Sequence, residues 1–455
     1  MDLRGRKVTV MGLGLFGGGL GVTCFLVSKG AQVTVTDLRG EKELKESLEA
    51  LSGLPVKLKL GGHEEADFRD TDMVVVNPAV PKDSPYLKIA RDNGVPIETE
   101  MNLFFKLCKS PIIGVTGTNG KTTTVALIGE MLRKIEPRTP VGGNIGGSML
   151  DRLDDLSDEV PVVLELSSFQ LEDLQTIHKS PHIAVVTNLT PNHLDRHGTI
   201  ENYIKAKKGI ILNQTRKDVA ILNYDDTVVS SWKKDCKGDV LFFSLQHPVD
   251  RGAYIENDQI VVGEERICRT EELLLPGRHS LSNALAAVTV AWLCKVDSEA
   301  IAGVLRGFKA LEHRLEFVRE VSGVKYYNDS IATTPEATIA ALNTVKGGII
   351  LIAGGSDKGL SYVQLARIIV ERVKSLLLIG ETADQIARLV KEESNRRGRE
   401  LKICRCASLE EAVRRAEAGS QRGDTVVMSP ACASYDMFRN FDERGKRFKG
   451  LVWQL

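Results

Sequence analysis

Short apolar, β-branched runs alternate with amphipathic segments along almost the whole chain. KVTVMG from Lys7, QVTVTD from Gln32, VKLKLG from Val56 and DMVVVN from Asp72 have the length and composition of strands. EKELKESLEALSG, between the second and third, carries the spacing of an amphipathic helix. PIIGVTG, PVVLEL, HIAVVTN and DVAILNYDD form a second set, and GGIILIAGG, SLLLIG, LKICRC and DTVVMSP a third. Each set predicts a mainly parallel sheet covered by helices, so the expected fold is α/β with three domains, at residues 1–97, 98–308 and 309–455. The first and last read as Rossmann-like, and ligands are expected at the carboxyl ends of strands. No low-complexity linker marks the boundaries.

Val8 to Ser28 carries no charge and is long enough to span a bilayer. Glycines and threonines interrupt it, and strand, turn and helix explain it better. Asp2 and the early strand also argue against a signal peptide. A length of 455 residues exceeds one ordinary core. Lys plus Arg and Asp plus Glu both number 60, so no basic excess points to nucleic acid or anionic membrane. Of the eight cysteines only Cys404 and Cys406 lie close together, and no CxxC spacing occurs. Free thiols in a reducing compartment are expected, hence a soluble cytoplasmic protein without membrane insertion.

Two glycine turns compete to define the chemistry. Gly12-x-Gly14-x-x-Gly17 follows the first strand, and Asp37 ends the second, which is the dinucleotide fingerprint. Taken alone, it would indicate a nicotinamide or flavin oxidoreductase. Ile112 to Leu132 then gives a strand, a glycine turn ending in Lys121-Thr122 and a helix. Backbone amides of such a turn attract phosphate oxygens, lysine adds a point charge, and the threonine hydroxyl holds magnesium. The turn departs from GxxxxGK[ST], because Val115 stands at the first glycine position and Gly114 one residue early. Glu165 ends one apolar run of the same set, and His193 and Asp195 lie in the loop after another. All three loops leave strands of one sheet and can converge, although a lone acid or histidine there is as readily solvated.

Thr116-Gly117-Thr118-Asn119-Gly120-Lys121-Thr122-Thr123 resembles the phosphate loop of the Mur ligases and folylpolyglutamate synthetases, which are ATP-dependent amide-forming enzymes. The resemblance to the Mur ligase family extends over essentially the whole chain. It implies a P-loop-type ATP-binding central domain, an amino-terminal domain for a UDP-linked substrate and a carboxyl-terminal domain for the incoming amino acid. Tyr203-x-x-Ala206-Lys207 matches the pattern in which the lysine is carbamylated by carbon dioxide, although Lys205 and Lys208 lie beside it. The family's metal set falls on Thr122, Glu165, His193 and carbamylated Lys207, with ATP and two magnesium ions as cofactors. His193 either binds metal or orients the acyl substrate. Asn144 in VGGNIG falls near the acyl substrate, Asn283 at adenine, Arg314 (after His313) at the terminal phosphate and Asp329 at the nucleotide.

MSPACASYDMFRNFDERGKRF resembles the D-glutamate-adding branch of the family, which places Thr333, Lys358, Ser434 and Phe441 around the amino acid. The first glycine turn then receives UDP, with Leu15 and Phe16 near uridine and Asp37 at uracil or ribose. Ile331 replaces a usual lysine, Phe16 a usually small residue, and NPAVP a Ser-Pro-Gly turn. The reaction implied is addition of D-glutamate to UDP-N-acetylmuramoyl-L-alanine through an acyl phosphate, in cytoplasmic peptidoglycan precursor synthesis. Lys121 and Arg314 would neutralise phosphoryl charge. No NAD, FAD or nucleic acid is expected, and a monomer is. A ligase for another amino acid shares the middle domain, and an ATP-binding switch shares the phosphate loop. The oxidoreductase reading leaves the second loop, Glu165, His193 and the tail unexplained.

Overall fold

β1 (Lys7–Met11), β2 (Gln32–Asp37), β3 (Val56–Leu60), β4 (Met73–Val76) and β5 (Ile97–Glu98) form a parallel sheet in the order β3-β2-β1-β4-β5. The strand order reverses at β1, which makes the carboxyl ends of β1 and β4 the topological switch point of this sheet. These are elements of a computed structural model. It describes residues 1–14, 18–78, 80–145, 147–274, 277–308, 312–357 and 360–455, with backbone alone at 194 and 195. Leu15, Phe16 and Lys358, and the side chain of Asp195, lie outside the described residues. The uncharged stretch from Val8 resolves into β1 and the helix Gly18–Ser28, and no described helix is long and apolar enough to cross a membrane.

The second sheet contains β6 (Ile112–Thr116), β7 (Val141–Gly143), β8 (Val162–Glu165), β9 (Ile183–Val186), β10 (Val219–Asn223), β11 (Asp239–Ser244), β12 (Gly252–Glu256), β13 (Gln259–Val262) and β14 (Glu265–Arg269). Its order is β14-β13-β12-β11-β10-β9-β6-β8-β7. β6 runs parallel between β8 and β9, pairing Val115 with Glu165 and Thr116 with Val186. That register delivers the start of the phosphate loop and Glu165 to the same sheet edge.

The third sheet contains β15 (Glu316–Val321), β16 (Val324–Asn328), β17 (Ile349–Ala353), β18 (Val373–Leu378), β19 (Lys402–Arg405) and β20 (Thr425–Met428), ordered β15-β16-β20-β17-β18-β19. Only the β15–β16 pair is antiparallel. Leu351, Leu376 and Val427 feed the core on one face, and Ile350, Ile352, Leu377 and Val426 the core on the other, as the two-residue period of a doubly covered sheet requires.

By compactness the chain forms two units: residues 1–191, 199–268 and 283–304, and residues 192–198, 269–282 and 305–455. The first two sheets share the first unit, where one apolar cluster runs from Val8, Phe25 and Leu26 through Phe104 to Leu164 and Leu222. All eight cysteines are free.

Candidate active site

In the first unit the phosphate loop joins β6 to the helix Lys121–Leu132. Gly117 and Gly120 have φ of 148° and 84°, and a Cβ on either would lie 1.9 Å from Thr187 Oγ1 or 2.1 Å from Asn283 Oδ1. Glycine is therefore required at both by conformation and by space. The loop is anchored from the next strand: Thr118 N–H donates to the Asn188 carbonyl (2.8 Å) and Asn119 N–H to Asn188 Oδ1 (2.9 Å). Thr118 Oγ1 lies 2.9 Å from the Tyr203 hydroxyl. Lys121 Nζ reaches back to the carbonyls of Gly117 (3.1 Å) and Thr118 (2.9 Å), at the start of the helix, an end whose free N–H groups attract anions. Thr123 is buried in that helix.

Thr122 Oγ1 donates to Glu165 Oε2 at 2.7 Å, and Asn144 Nδ2 to Glu165 Oε1 at 3.0 Å. Glu165 is 3% exposed, and both of these partners are neutral. Lys207 sits in the helix Ile200–Leu212, fully buried, with Nζ 3.3 Å from Thr116 Oγ1 and 5.0 Å from the Tyr203 ring centre. Burial, and then the charge of Lys121, hold its amine well below the usual lysine range, against the opposing pull of Glu165. The sequence left Lys205, Lys207 and Lys208 as alternatives. Tyr203, Ala206, Lys207, Ile210 and Ile211 form one buried stripe, whereas Lys205 is exposed and Lys208 pairs with Asp235 at 2.7 Å. That stripe, at i, i+3, i+4, i+7 and i+8, was the signal that separates them.

The first glycine turn is closed by Asp37. Its Oδ2 accepts from the N–H groups of Leu13 (2.9 Å) and Gly14 (3.3 Å), and its Oδ1 from Arg39 N–H (2.9 Å). At 5% exposure, this acid spends its oxygens on the turn itself. Asn77, from the loop after β4, packs where a Cβ on Gly12 would lie.

The remaining expected ligand, His193, has φ of 52°, and its N–H donates to Asn192 Oδ1 at 2.9 Å. It belongs to the segment 192–198 of the second unit, so the expected metal set of Thr122, Glu165, Lys207 and His193 divides between units. Within the second unit, Asp329 is fully buried. Its oxygens accept from Leu315 N–H (3.0 Å) and Ser429 Oγ (2.7 Å), and desolvation raises its pKa to about 6. His313 is equally buried, with Asn328 Nδ2 at 2.8 Å from Nδ1 and Asp442 Oδ1 at 3.0 Å from Nε2. Arg314 is half-buried and depresses the His279 imidazole, behind the effect of burial.

The loops that lead to Thr333 and Ser434 and the start of the helix at Phe441 are tied together by a residue that the sequence did not single out. Arg444 is 1% exposed and donates to Ser330 Oγ (3.1 Å), the Ser330 carbonyl (2.9 Å), and the carbonyls of Cys432 and Ala433 (both 3.1 Å). Ser330 Oγ in turn donates to the Phe441 carbonyl at 2.7 Å. Arg444 thus fixes the loop before Thr333, the loop before Ser434 and the start of the helix Phe441–Trp453. Arg444, Phe448 and Val452 form that helix's buried stripe, so an arginine on an apolar face was the available signal.

The chain matches the Mur ligase MurD-like N-terminal domain over residues 6–99, the Mur ligase middle domain over 115–291 and the Mur ligase glutamate ligase domain over 313–432. It is 45% identical to a UDP-N-acetylmuramoylalanine--D-glutamate ligase of Roseiflexus sp., covering 99% of both chains. A protein of the same description from Caldanaerobacter subterraneus is 42% identical, with 100% of both chains covered. Among solved structures, a UDP-N-acetylmuramate-alanine ligase from Thermotoga maritima superimposes with a TM-score of 0.64 at 21% identity, over 99% of both chains. A MurF ligase from the same organism, in complex with ADP, gives 0.58 at 17% identity over 100% of both. At those identities the two structures speak to the fold.

Proposed function

The chain belongs to the Mur ligase family, and on that footing we propose that it joins D-glutamate to UDP-N-acetylmuramoyl-L-alanine using ATP. The observation that carries this reading is the end-to-end likeness to relatives named for that reaction. The first unit supplies the matching chemistry. Gly117 to Thr123 present backbone amides and a helix N-terminus to the ATP phosphates, and Lys121 neutralises charge on the transferring phosphoryl group. A free carboxylate is a poor electrophile, so phosphorylation of the terminal alanine carboxylate gives an acyl phosphate that the glutamate amine can attack.

Magnesium fits here: Glu165 is a buried carboxyl group whose hydrogen-bond partners among the described residues are neutral, and Thr122 and Glu165 offer hard oxygens. Bound there, the ion would withdraw charge from the phosphoryl oxygens. A carbamate on Lys207 fits as well, because the neutral amine is the form that adds carbon dioxide, and the product is an anionic oxygen ligand where an ammonium would repel the metal. His193 is the further ligand proposed. Asn144 serves the acyl substrate, Asn283 adenine, and Arg314 and Asp329 the nucleotide, Asp329 acting through its hold on Leu315 beside Arg314. Thr333, Lys358, Ser434 and Phe441 would hold D-glutamate, and the Asp37-closed turn with Leu15 and Phe16 the UDP moiety. The boundaries at 97 and 308, a monomeric state and a cytoplasmic place in peptidoglycan precursor synthesis complete the reading.

Phosphate release with ATP, magnesium and UDP-N-acetylmuramoyl-L-alanine, offering D-glutamate, L-glutamate, L-lysine or diaminopimelate in turn, tests it. Turnover with D-glutamate alone is expected. Good turnover with another amine and none with D-glutamate would overturn the substrate assignment.

A further inference from the structure

Cys404 and Cys406 lie at the outer edge of the third sheet, in and just beyond β19, which pairs only with β18. Two residues apart in an extended segment, their side chains share a face. Cys404 is half-buried and Cys406 is 3% exposed. Arg415, on the facing helix Leu409–Gly419, places Nη1 3.1 Å from Cys404 Sγ. That guanidinium is held by Glu411, which accepts from Arg415 Nε at 2.8 Å, while the other Glu411 oxygen accepts from Ala407 N–H at 2.7 Å. The backbone thus orients Glu411, Glu411 orients Arg415, and Arg415 donates to the sulfur. Burial raises the thiol pKa of Cys24, Cys108 and Cys432, and takes Cys236, Cys294 and Cys406 up to about 11.

We propose that Cys404 and Cys406 form a dithiol redox site: Cys404 is the attacking thiol, Arg415 its activating cation, and Cys406 the resolving thiol. The oxidant is a small organic disulfide. The Cys404 thiolate attacks one of its sulfurs, forming a mixed disulfide and expelling one thiolate. Cys406 gives its proton to solvent and attacks the Cys404 sulfur, closing the Cys404–Cys406 bond and expelling the second thiolate. The two cysteines lose two electrons and two protons, and the small disulfide becomes two thiols. The strand rise puts the two Cα atoms about 6.6 Å apart, at the long end of what a disulfide bridges, so closure needs the backbone to shift and bring the Cβ atoms together. With one side of β19 unpaired, the segment can shorten that span without breaking a second ladder.

The test exposes the full chain at pH 7 to oxidised glutathione, followed by acid quenching, alkylation and peptide mass mapping over time. The expected first product is a Cys404–Cys406 disulfide, two hydrogens lighter than the dithiol. Cys406→Ser should instead stop with glutathione on Cys404. Arg415→Gln should slow the first step about tenfold at pH 7, because the attacking sulfur loses its hydrogen-bonded cation. Far-ultraviolet circular dichroism checks that both variants keep the fold. Three results would each overturn the proposal: Cys404 reacting no faster than Cys24 or Cys108, an unchanged rate in Arg415→Gln, or mixed disulfide without closure in the unsubstituted protein.

Discussion

Lys207 shows how one side chain can be costly for folding and necessary for chemistry. Its amine is held below the unfolded value of 10.5 by burial and by Lys121. A base with a depressed folded pKa releases its proton on folding, so below 10.5 the unfolded chain binds more protons and stability rises with pH. In buffer depleted of carbon dioxide, Lys207→Met should therefore be the more stable protein at pH 7, with the gap closing as pH nears 10.5. Phosphate release should fall at least about 100-fold in the same variant. Urea titrations at pH 7 and 10 check the first expectation, and full activity would refute the second. Asp329 gives the opposite sign, because burial raises its pKa from 3.8 to about 6. Its contribution is fully present below 3.8 and is lost as pH rises through about 6. That loss is on the order of 3 kcal/mol, and Asp329→Asn should flatten the slope of urea stability between about pH 4 and 7. Neither environment was legible in the sequence in the same degree. The stripe around Lys207 could be read from helical spacing, whereas the burial of Asp329 depends on Leu315 and Ser429, which only the folded chain brings to it.

Among the elements, the strands of parallel sheets were the most legible and those near sheet margins the least. IILIA of β17 is apolar at every position because both faces are covered. EFVREV of β15 and ERICR of β14 carry charges between their apolar residues, as margin strands do, and no apolar run announces them. The helix Phe441–Trp453 was legible only in part, since its buried face begins with Arg444. A methionine there would leave the Ser330, Cys432 and Ala433 carbonyls without their donor in a buried place. Arg444→Met should cost about 3–5 kcal/mol. It should also raise the KM for D-glutamate about tenfold or more while leaving the ATP KM within about twofold, because the loops it ties carry Thr333 and Ser434. Stability by urea unfolding and the two KM values measure this. Equal loss for both substrates would mean that the arginine supports the fold alone.

At the scale of the whole molecule, the three sheets follow the three sets of apolar runs, yet the chain packs as two units. The reason is not a linker but a shared core, which composition does not reveal. A Cβ on Gly21 of the first helix would lie 2.3 Å from Ser148 Cβ, so helix and loop meet at backbone distance. Glu100 reaches Ser148 and the Met149 N–H across the same seam, its carboxyl pushed up by burial. Lys82 pairs with Glu172 at 2.7 Å, and Lys29 with Asp154 at 2.8 Å. Exposed pairs of that kind add little, so the apolar cluster through Phe25, Leu26, Phe104 and Leu150 is what joins the two sheets. The third sheet has cores of its own on both faces. A fragment of residues 305–455 should therefore melt cooperatively with a dispersed amide spectrum. A fragment of residues 1–99 would expose the part of the shared cluster it contributes, and should show neither. Calorimetry and proton–nitrogen correlation spectra of the two fragments decide it. A cooperative, well-dispersed 1–99 fragment would mean that its sheet stabilises itself, and that the cluster is an interface between two finished domains instead of one core.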